Sequence, residues 1–170
     1  MTRETATHRL LTLEASCQTE RVEDHDEVVV DAWIVNTGKE PICIRRMKSP
    51  IGFLSFILAD SDGREIPGRV LYVDLARSSD KQDFLLLDPG NIYGSRLRLI
   101  PIVEGGRTYH SLVDYGNKQM ARFSLRTPGR YSLSVIYGNG DDGHMAGVQA
   151  WHGGGPHELH SSKCWFEIER

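Results

Sequence analysis

Short apolar runs, each followed by a turn sequence, recur along this chain. The two clearest runs are "VVVDAWIV" (28–35) and "YSLSVIY" (131–137), whose side chains alternate between two faces as in a half-buried strand. The neighbouring sequences "NTGKEP" and "RTPGR" favour turns. No segment holds a sustained apolar stripe of helical period. The pattern predicts an all-β chain that forms one antiparallel β-sandwich domain over residues 1–170, with long loop insertions.

Charge and cysteine content narrow the classes of function. The formal net charge is -3 and the pI is near 6.2, so the chain has no general attraction for phosphate backbones or anionic lipid. The first residues lack the apolar segment of a signal peptide, and no apolar run is long enough to cross a bilayer. Cys17, Cys43 and Cys164 are too few and too far apart to suggest a disulfide framework, so we expect free thiols, with Cys164 packed in the core. Together these features predict a cytoplasmic protein that binds neither nucleic acid nor membrane.

A series of motifs resembles a known fold. The motifs, in chain order, are "VVVDAWIVNTGKEPI", "LLLDPGN", "FSLRTPGRYSLSVIY", "AWHGG" and "SSKCWFEIE". This order resembles the immunoglobulin-like β-sandwich domains of bacterial proteins, over roughly residues 10–35 and 83–169. In such domains a tyrosine at a strand corner returns its hydroxyl to the backbone; Tyr131 fits that role and fits equally well as an ordinary core tyrosine. The resemblance implies a fold and no particular function.

A glycine-rich stretch, "SVIYGNGDDGHMAGVQAWHGGGPHELH" (134–160), matches a nucleotide-binding pattern. Gly138, Gly140 and Gly143 fall as in the GxGxxG of a dinucleotide-binding loop, which requires a helix after the last glycine. The residues after Gly143 include further glycines and a proline, so no helix can follow. Asp141 and Asp142 would also repel the phosphates. We interpret the match as a coincidence within a loop.

The histidines of the same stretch are spaced as metal ligands could be. His152 and His157 have four residues between them, a spacing found in paired zinc histidines, and His160 follows closely. These three would bind zinc in a metal-binding protein or metal-dependent hydrolase, with Asp141 or Asp142 as the base. Against this, the consecutive glycines make fixed ligand positions entropically costly. A solvated loop without a cofactor is the favoured interpretation, and zinc is the alternative.

The favoured function is a non-enzymatic protein-interaction module of binding, inhibitor, immunity or assembly-subunit type. Sandwich domains often bind their partners through loops. The two candidate loops here are residues 138–161 and 103–118, and the expected partner is a protein. Three tryptophans are interface contacts if exposed and core residues if the insertions cover them: Trp33, Trp151 and Trp165. The candidate binding residues are Asp141, Asp142, His144, Trp151, His152, His157 and His160.

Overall fold

The computed structural model describes residues 10–18, 20–47, 54–70, 80–114, 119–126, 128–140, 142–153 and 157–169. Within these ranges the strands are β1 (Leu11–Cys17), β2 (Arg21–Glu23), β3 (Val28–Asn36), β4 (Ile42–Arg45), β5 (Leu54–Asp60), β6 (Arg69–Val70), β7 (Phe84–Leu87), β8 (Ile92–Glu104), β9 (Arg107–Asp114), β10 (Gln119–Phe123), β11 (Gly129–Tyr137), β12 (Leu159–His160) and β13 (Cys164–Glu169). Two single-turn 3-10 helices lie at Lys81–Asp83 and His144–Ala146. No helix in the described part of the chain has the length and apolar character needed to span a membrane. The structure confirms an all-β fold with antiparallel sheets.

The first sheet has six strands in the order β1-β3-β8-β9-β10-β6. The inward side chains of β3 are buried, as the alternation predicts: Val28, Val30, Ala32 and Ile34. β8 and β9 form a hairpin around Gly105 and Gly106. Residues 103–114, expected to belong to a binding loop, are therefore mainly strand, because a two-glycine turn followed by β-forming residues closes a hairpin. Residues 115–118 lie outside the described ranges.

The second sheet is centred on β11. β5 pairs along one edge of β11, while β13 and β12 pair along the other, and β2 adds to β13 in parallel. The inward face predicted for β11 is confirmed by the burial of Tyr131, Leu133, Val135 and Tyr137. The opposite face is more buried than predicted, since Ser132 is buried between β5 and β13. At the start of β11 the Tyr131 hydroxyl donates a hydrogen bond to the carbonyl of Arg126.

β4 and β7 pair as a separate antiparallel unit, which we call the ribbon. Asn36 at the end of β3 is fully buried and ties the ribbon to the first sheet. Its side-chain amide donates to the carbonyls of Leu87 at 2.8 Å and Glu40 at 2.9 Å. On the outward face of the ribbon, Cys43 lies opposite Leu86. The ribbon therefore has a fixed position beside the first sheet.

A hydrophobic core is shared by both sheets and the ribbon. The first sheet contributes side chains from β1, β3, β8, β9 and β10, and the second contributes side chains from β5, β11 and β13. Ile42 and Ile44 add the inward face of the ribbon. Aromatic packing is part of this core, since the Tyr131 and Phe166 rings lie 5.7 Å apart. The arrangement is compatible with a β-sandwich.

A disulfide joins Cys17 to Cys164, with the two Cα atoms 5.5 Å apart. It connects the end of β1 in the first sheet to the start of β13 in the second. The expectation of free thiols is wrong for this pair, although Cys164 does face the core as predicted. Cys43 is free, and burial raises the pKa of its thiol. Because disulfides are typical of oxidising compartments, the cysteines no longer support the cytoplasmic prediction, which stays a prediction.

Candidate functional site

The late loop, residues 138–153, returns to its starting point. Asn139 and Gly153 form an antiparallel bridge whose two N–H to carbonyl distances are 2.6 and 2.9 Å. The side-chain amide of the buried Asn139 also donates to the carbonyl of Trp151 at 2.6 Å. These hydrogen bonds close the base of the loop. Asp141, one of the predicted contact residues, lies outside the described ranges.

Trp151 fixes the late loop to the core. Its side chain is only 5% exposed and stacks on Tyr137, with ring centroids 5.5 Å apart and 18° between the ring planes. The Trp151 N–H donates to the carbonyl of Cys43 at 2.7 Å, which joins the loop to the ribbon. A Cβ on Gly153 would collide with the indole, so glycine is required there. Trp151 was a candidate contact residue, and the structure places it in the core instead of on the surface.

Tyr137, on which Trp151 stacks, is itself held by a hydrogen bond. The Tyr137 hydroxyl donates to the carbonyl of Arg45 at 2.7 Å, and burial raises the pKa of Tyr137 well above its ordinary value. Tyr137 therefore remains a neutral donor at physiological pH. Gly143 passes over Phe84 of the ribbon, where a Cβ would lie 3.3 Å from the ring. The loop thus covers part of the outward face of the ribbon.

Met145 lies at the tip of the late loop. The turn His144–Ala146 is bounded by Gly143 and Gly147, both of which have left-handed backbone conformations with φ of 78° and 70°. The N–H of its first residue donates to the carboxylate of Asp142 at 2.9 Å. The Met145 side chain is 84% exposed. A large apolar side chain is therefore presented to solvent by a hydrogen-bonded turn.

The histidines of the glycine-rich stretch (134–160) do not form a cluster in the structure. His144, His152, His157 and His160 are all exposed. Among the described residues, the one group of three possible metal ligands whose atoms lie within 4.8 Å of one another is at the end of β2 and in the turn after it: Glu23, His25 and Asp26. The Nε2 atom of His160 lies 4.0 Å from a carboxylate oxygen of Glu158. The structure does not bring the three predicted zinc ligands together.

The other two tryptophans lie on the outward faces of the sheets. Trp165 is 37% exposed, and the Arg130 guanidinium lies 4.9 Å from the centroid of its ring. Trp33 is half-buried beside Gly94, where a Cβ would lie 2.8 Å from the Trp33 Cβ. Of the three tryptophans, Trp165 is therefore the most exposed.

Two residues of the late loop were not singled out from the sequence, Asn139 and Met145. Asn139 lies in "GNG", which is a turn signal, but its burial depends on the contact with Gly153. Met145 lies in "GHMAG", where the flanking glycines could have indicated a short exposed turn. Both residues matter because one closes the loop and the other is presented by it.

Comparison of the chain with protein-family models and with curated proteins finds no match. The function therefore has to be inferred from the late loop and its surroundings.

Proposed function

We propose that the chain is a protein-interaction module, and not an enzyme, that binds its partner through the late loop. The observation that carries the proposal is the contrast between the two ends of the loop. Trp151 at the base is 5% exposed, whereas Met145 at the tip is 84% exposed. A fixed base with an exposed apolar tip is the geometry expected of a recognition loop on a rigid scaffold.

The fixed base lowers the entropic cost of binding. Ordering the backbone of a free loop costs about 1–2 kcal/mol per residue, and this cost reduces affinity when it is incurred on binding. In the late loop, the bridge between Asn139 and Gly153 and the packing of Trp151 already restrict the backbone. More of the energy of contact with a partner is then available as affinity.

The chemistry of the tip indicates the kind of surface it would meet. Methionine is flexible and polarizable, so it fits irregular apolar pockets. Exposed His144 precedes Met145 in the turn, and the exposed Asp142 accepts a hydrogen bond from the His144 N–H through its carboxylate. We therefore propose a protein partner with an apolar pocket for Met145 and polar groups at the rim of that pocket. The zinc alternative has no supporting cluster among the described residues, and it is not proposed.

We further propose that the fold is of the immunoglobulin-like kind. Support comes from the hydrogen bond between the Tyr131 hydroxyl and the Arg126 carbonyl, which matches the tyrosine corner of those domains. The first two strands also divide between the sheets, with β1 beside β3 and β2 parallel to β13. In such a sandwich the late loop joins strands near the end of the chain, where recognition loops are common.

Site-specific photo-crosslinking tests the proposed function. A photo-reactive amino acid is placed at Met145, or, as a control, at Val103, an apolar residue that is 74% exposed near the tip of the β8–β9 hairpin. In the cells that make the protein, we expect the variant at Met145 to give one discrete protein adduct, which mass spectrometry identifies. The variant at Val103 should not give this adduct.

The identified partner then allows a quantitative test. Met145→Asp should weaken its binding by about tenfold or more, because it loses the burial of an apolar side chain. The circular dichroism and the unfolding midpoint of this variant should match those of the wild type, since Met145 makes little contact with the core. Equal adducts from both positions, or no adduct from Met145, would contradict the proposal.

A further inference from the structure

His110 in β9 carries a buried imidazole, with a side chain that is only 1% exposed. Leu112, two residues along the strand, and Phe123, its partner in β10, belong to the hydrophobic core, so the imidazole faces the core as well. Neither ring nitrogen has a hydrogen-bond partner among the described residues. A neutral ring can be buried in this way at moderate cost, whereas an imidazolium has two N–H donors and a charge that need acceptors.

His110 also lies at one end of the first sheet. β10 ends at Phe123, which pairs with His110, and β3 begins at Val28, which pairs with Leu99. Of the described strands, β8 and β9 alone continue past these pairs, as a two-stranded hairpin. What we call the hairpin end comprises residues 100–110, residues 121–123 and the turn 24–27 that leads into β3. Because few strand pairs hold this region, it can open while the rest of the sheet stays paired.

Asp24 is the one charged side chain of the described residues that acts on His110. Burial lowers the pKa of His110, and the charge of Asp24 opposes this shift. Asp24 itself is exposed in the turn after β2. The strand neighbours of His110 are Pro101 and Phe123, which do not titrate. The carboxylate that can accept a hydrogen bond from a protonated His110 therefore lies outside the core.

Tyr131 and His25 are further titratable groups of this region. The Tyr131 hydroxyl donates to the Arg126 carbonyl, and burial raises the pKa of Tyr131, so this side chain stays neutral. His25 is exposed, and its Nδ1 atom lies 3.5 Å from a carboxylate oxygen of Asp24. It can therefore compete with His110 for that carboxylate. The other charged side chains of the turn and of the end of β2 are exposed: Glu23, Asp26 and Glu27.

We propose that His110 and the turn that carries Asp24 form an acid-sensitive latch: His110 takes up one proton from water, its ring leaves the core to pair with the Asp24 carboxylate, and the hairpin end opens. The closed form binds the proton less readily than the open form, because the closed form buries the ring away from water. Opening is therefore favoured as the pH falls below about 6.5. The latch does not involve the late loop and does not depend on the proposed function.

Native-state amide exchange, followed by NMR from about pH 7.5 down to about pH 5 in low concentrations of urea, tests the latch. After correction for intrinsic rates, the protection of paired amides in residues 109–111 and 121–123 should fall about tenfold per pH unit below about 6.5, because one proton is taken up on opening. This exchange should not depend on urea, since a local opening exposes little surface. The paired amides of β11 should exchange through global unfolding, which does depend on urea.

Two substitutions in the same turn provide a matched pair. Asp24→Asn removes the acceptor and should move the opening to lower pH, so that protection of the hairpin end at about pH 5.5 is about three- to fivefold higher than in the wild type. Asp26→Asn removes the same charge from an exposed neighbour and should behave as the wild type. His110→Leu removes the site of protonation and should abolish the pH dependence of these amides. His25→Gln should leave that dependence in place.

Three outcomes would overturn the proposal. The first is the same pH dependence in His110→Leu as in the wild type. The second is loss of the dependence in His25→Gln, which would assign the response to the exposed imidazole. The third is exchange of the hairpin end that depends on urea as strongly as exchange in β11, which would show global unfolding. If His110→Leu fails to fold, the matched pair decides, because equal protection in Asp24→Asn and Asp26→Asn would also contradict the latch.

Discussion

Loss of the Cys17–Cys164 disulfide is expected to remove a large share of the protein's stability. The two cysteines are 147 residues apart in sequence, so the bond closes a loop of nearly the whole chain. Restriction of the unfolded chain by a loop of this length contributes about 5 kcal/mol at room temperature in the chain-entropy model. Removal of a native disulfide typically costs about 2–5 kcal/mol, against a total stability of about 5–15 kcal/mol. We therefore expect Cys17→Ser with Cys164→Ser to lower the free energy of unfolding by about 3–5 kcal/mol.

Urea unfolding followed by tryptophan fluorescence measures this difference. The oxidised wild type, the reduced wild type and the double variant are compared, and the last two should agree. Cys43→Ser is the control, because Cys43 is the free cysteine and its replacement leaves the disulfide intact. A loss below about 1 kcal/mol on reduction would refute the reasoning. So would a titration of protein purified without reductant that finds all 3 cysteines as free thiols.

Three further predictions concern the core and the histidines. Tyr131→Phe should lower the free energy of unfolding by about 1 kcal/mol, because the hydroxyl no longer bonds to the Arg126 carbonyl; no measurable change would contradict this. Burial lowers the pKa of His110, and the nearby charge of Asp24 opposes this shift. Because the unfolded chain then binds the proton more readily than the folded chain, the free energy of unfolding should fall as the pH decreases below about 6.5. Urea unfolding at stepped pH should show a contribution of at most about 1.4 kcal/mol per pH unit that is missing in His110→Leu; equal pH dependence in both proteins would contradict the assignment. Elemental analysis of untagged protein, beside the triple variant His152→Ala, His157→Ala and His160→Ala, should find metal well below one equivalent in both; about one equivalent that is lost in the variant would establish the zinc alternative.

Strand positions could be predicted from the sequence because each face of a strand has a simple pattern. The inward residues of β3 and β11 alternate with the outward ones, and burial follows that alternation. The exceptions are Ser132 and Ile136, which are buried on the outward face of β11; this strand has neighbours on both sides, and strand order is not visible in a local pattern. For β8 and β9 the sequence predicts a break at Gly105 and Gly106, which is correct. It does not show that the break is a short hairpin turn, and it predicts a long loop there instead.

The disulfide and the late loop could not be predicted because both depend on contacts between distant segments. Nothing in the spacing of Cys17 and Cys164 indicates that their Cα atoms lie 5.5 Å apart. In the same way, the glycines and histidines of residues 138–160 indicate a loop but not its fixed base. That base depends on the stacking of Trp151 on Tyr137 and on its hydrogen bond to Cys43 in the ribbon. The composition of residues 138–160 is that of a loop with a freely moving backbone, whereas tertiary packing restricts the backbone at the base of the late loop.

Amide hydrogen exchange in the late loop tests most directly the claim that its base is fixed before any partner binds. The N–H groups of Asn139, Trp151 and Gly153 each donate to a backbone carbonyl. We expect them to exchange as slowly as the paired amides of β11, while the Met145 amide in the exposed turn exchanges faster. If all three exchanged at the rate of an unstructured chain, the loop would not be pre-ordered, and the proposed mode of recognition would be contradicted.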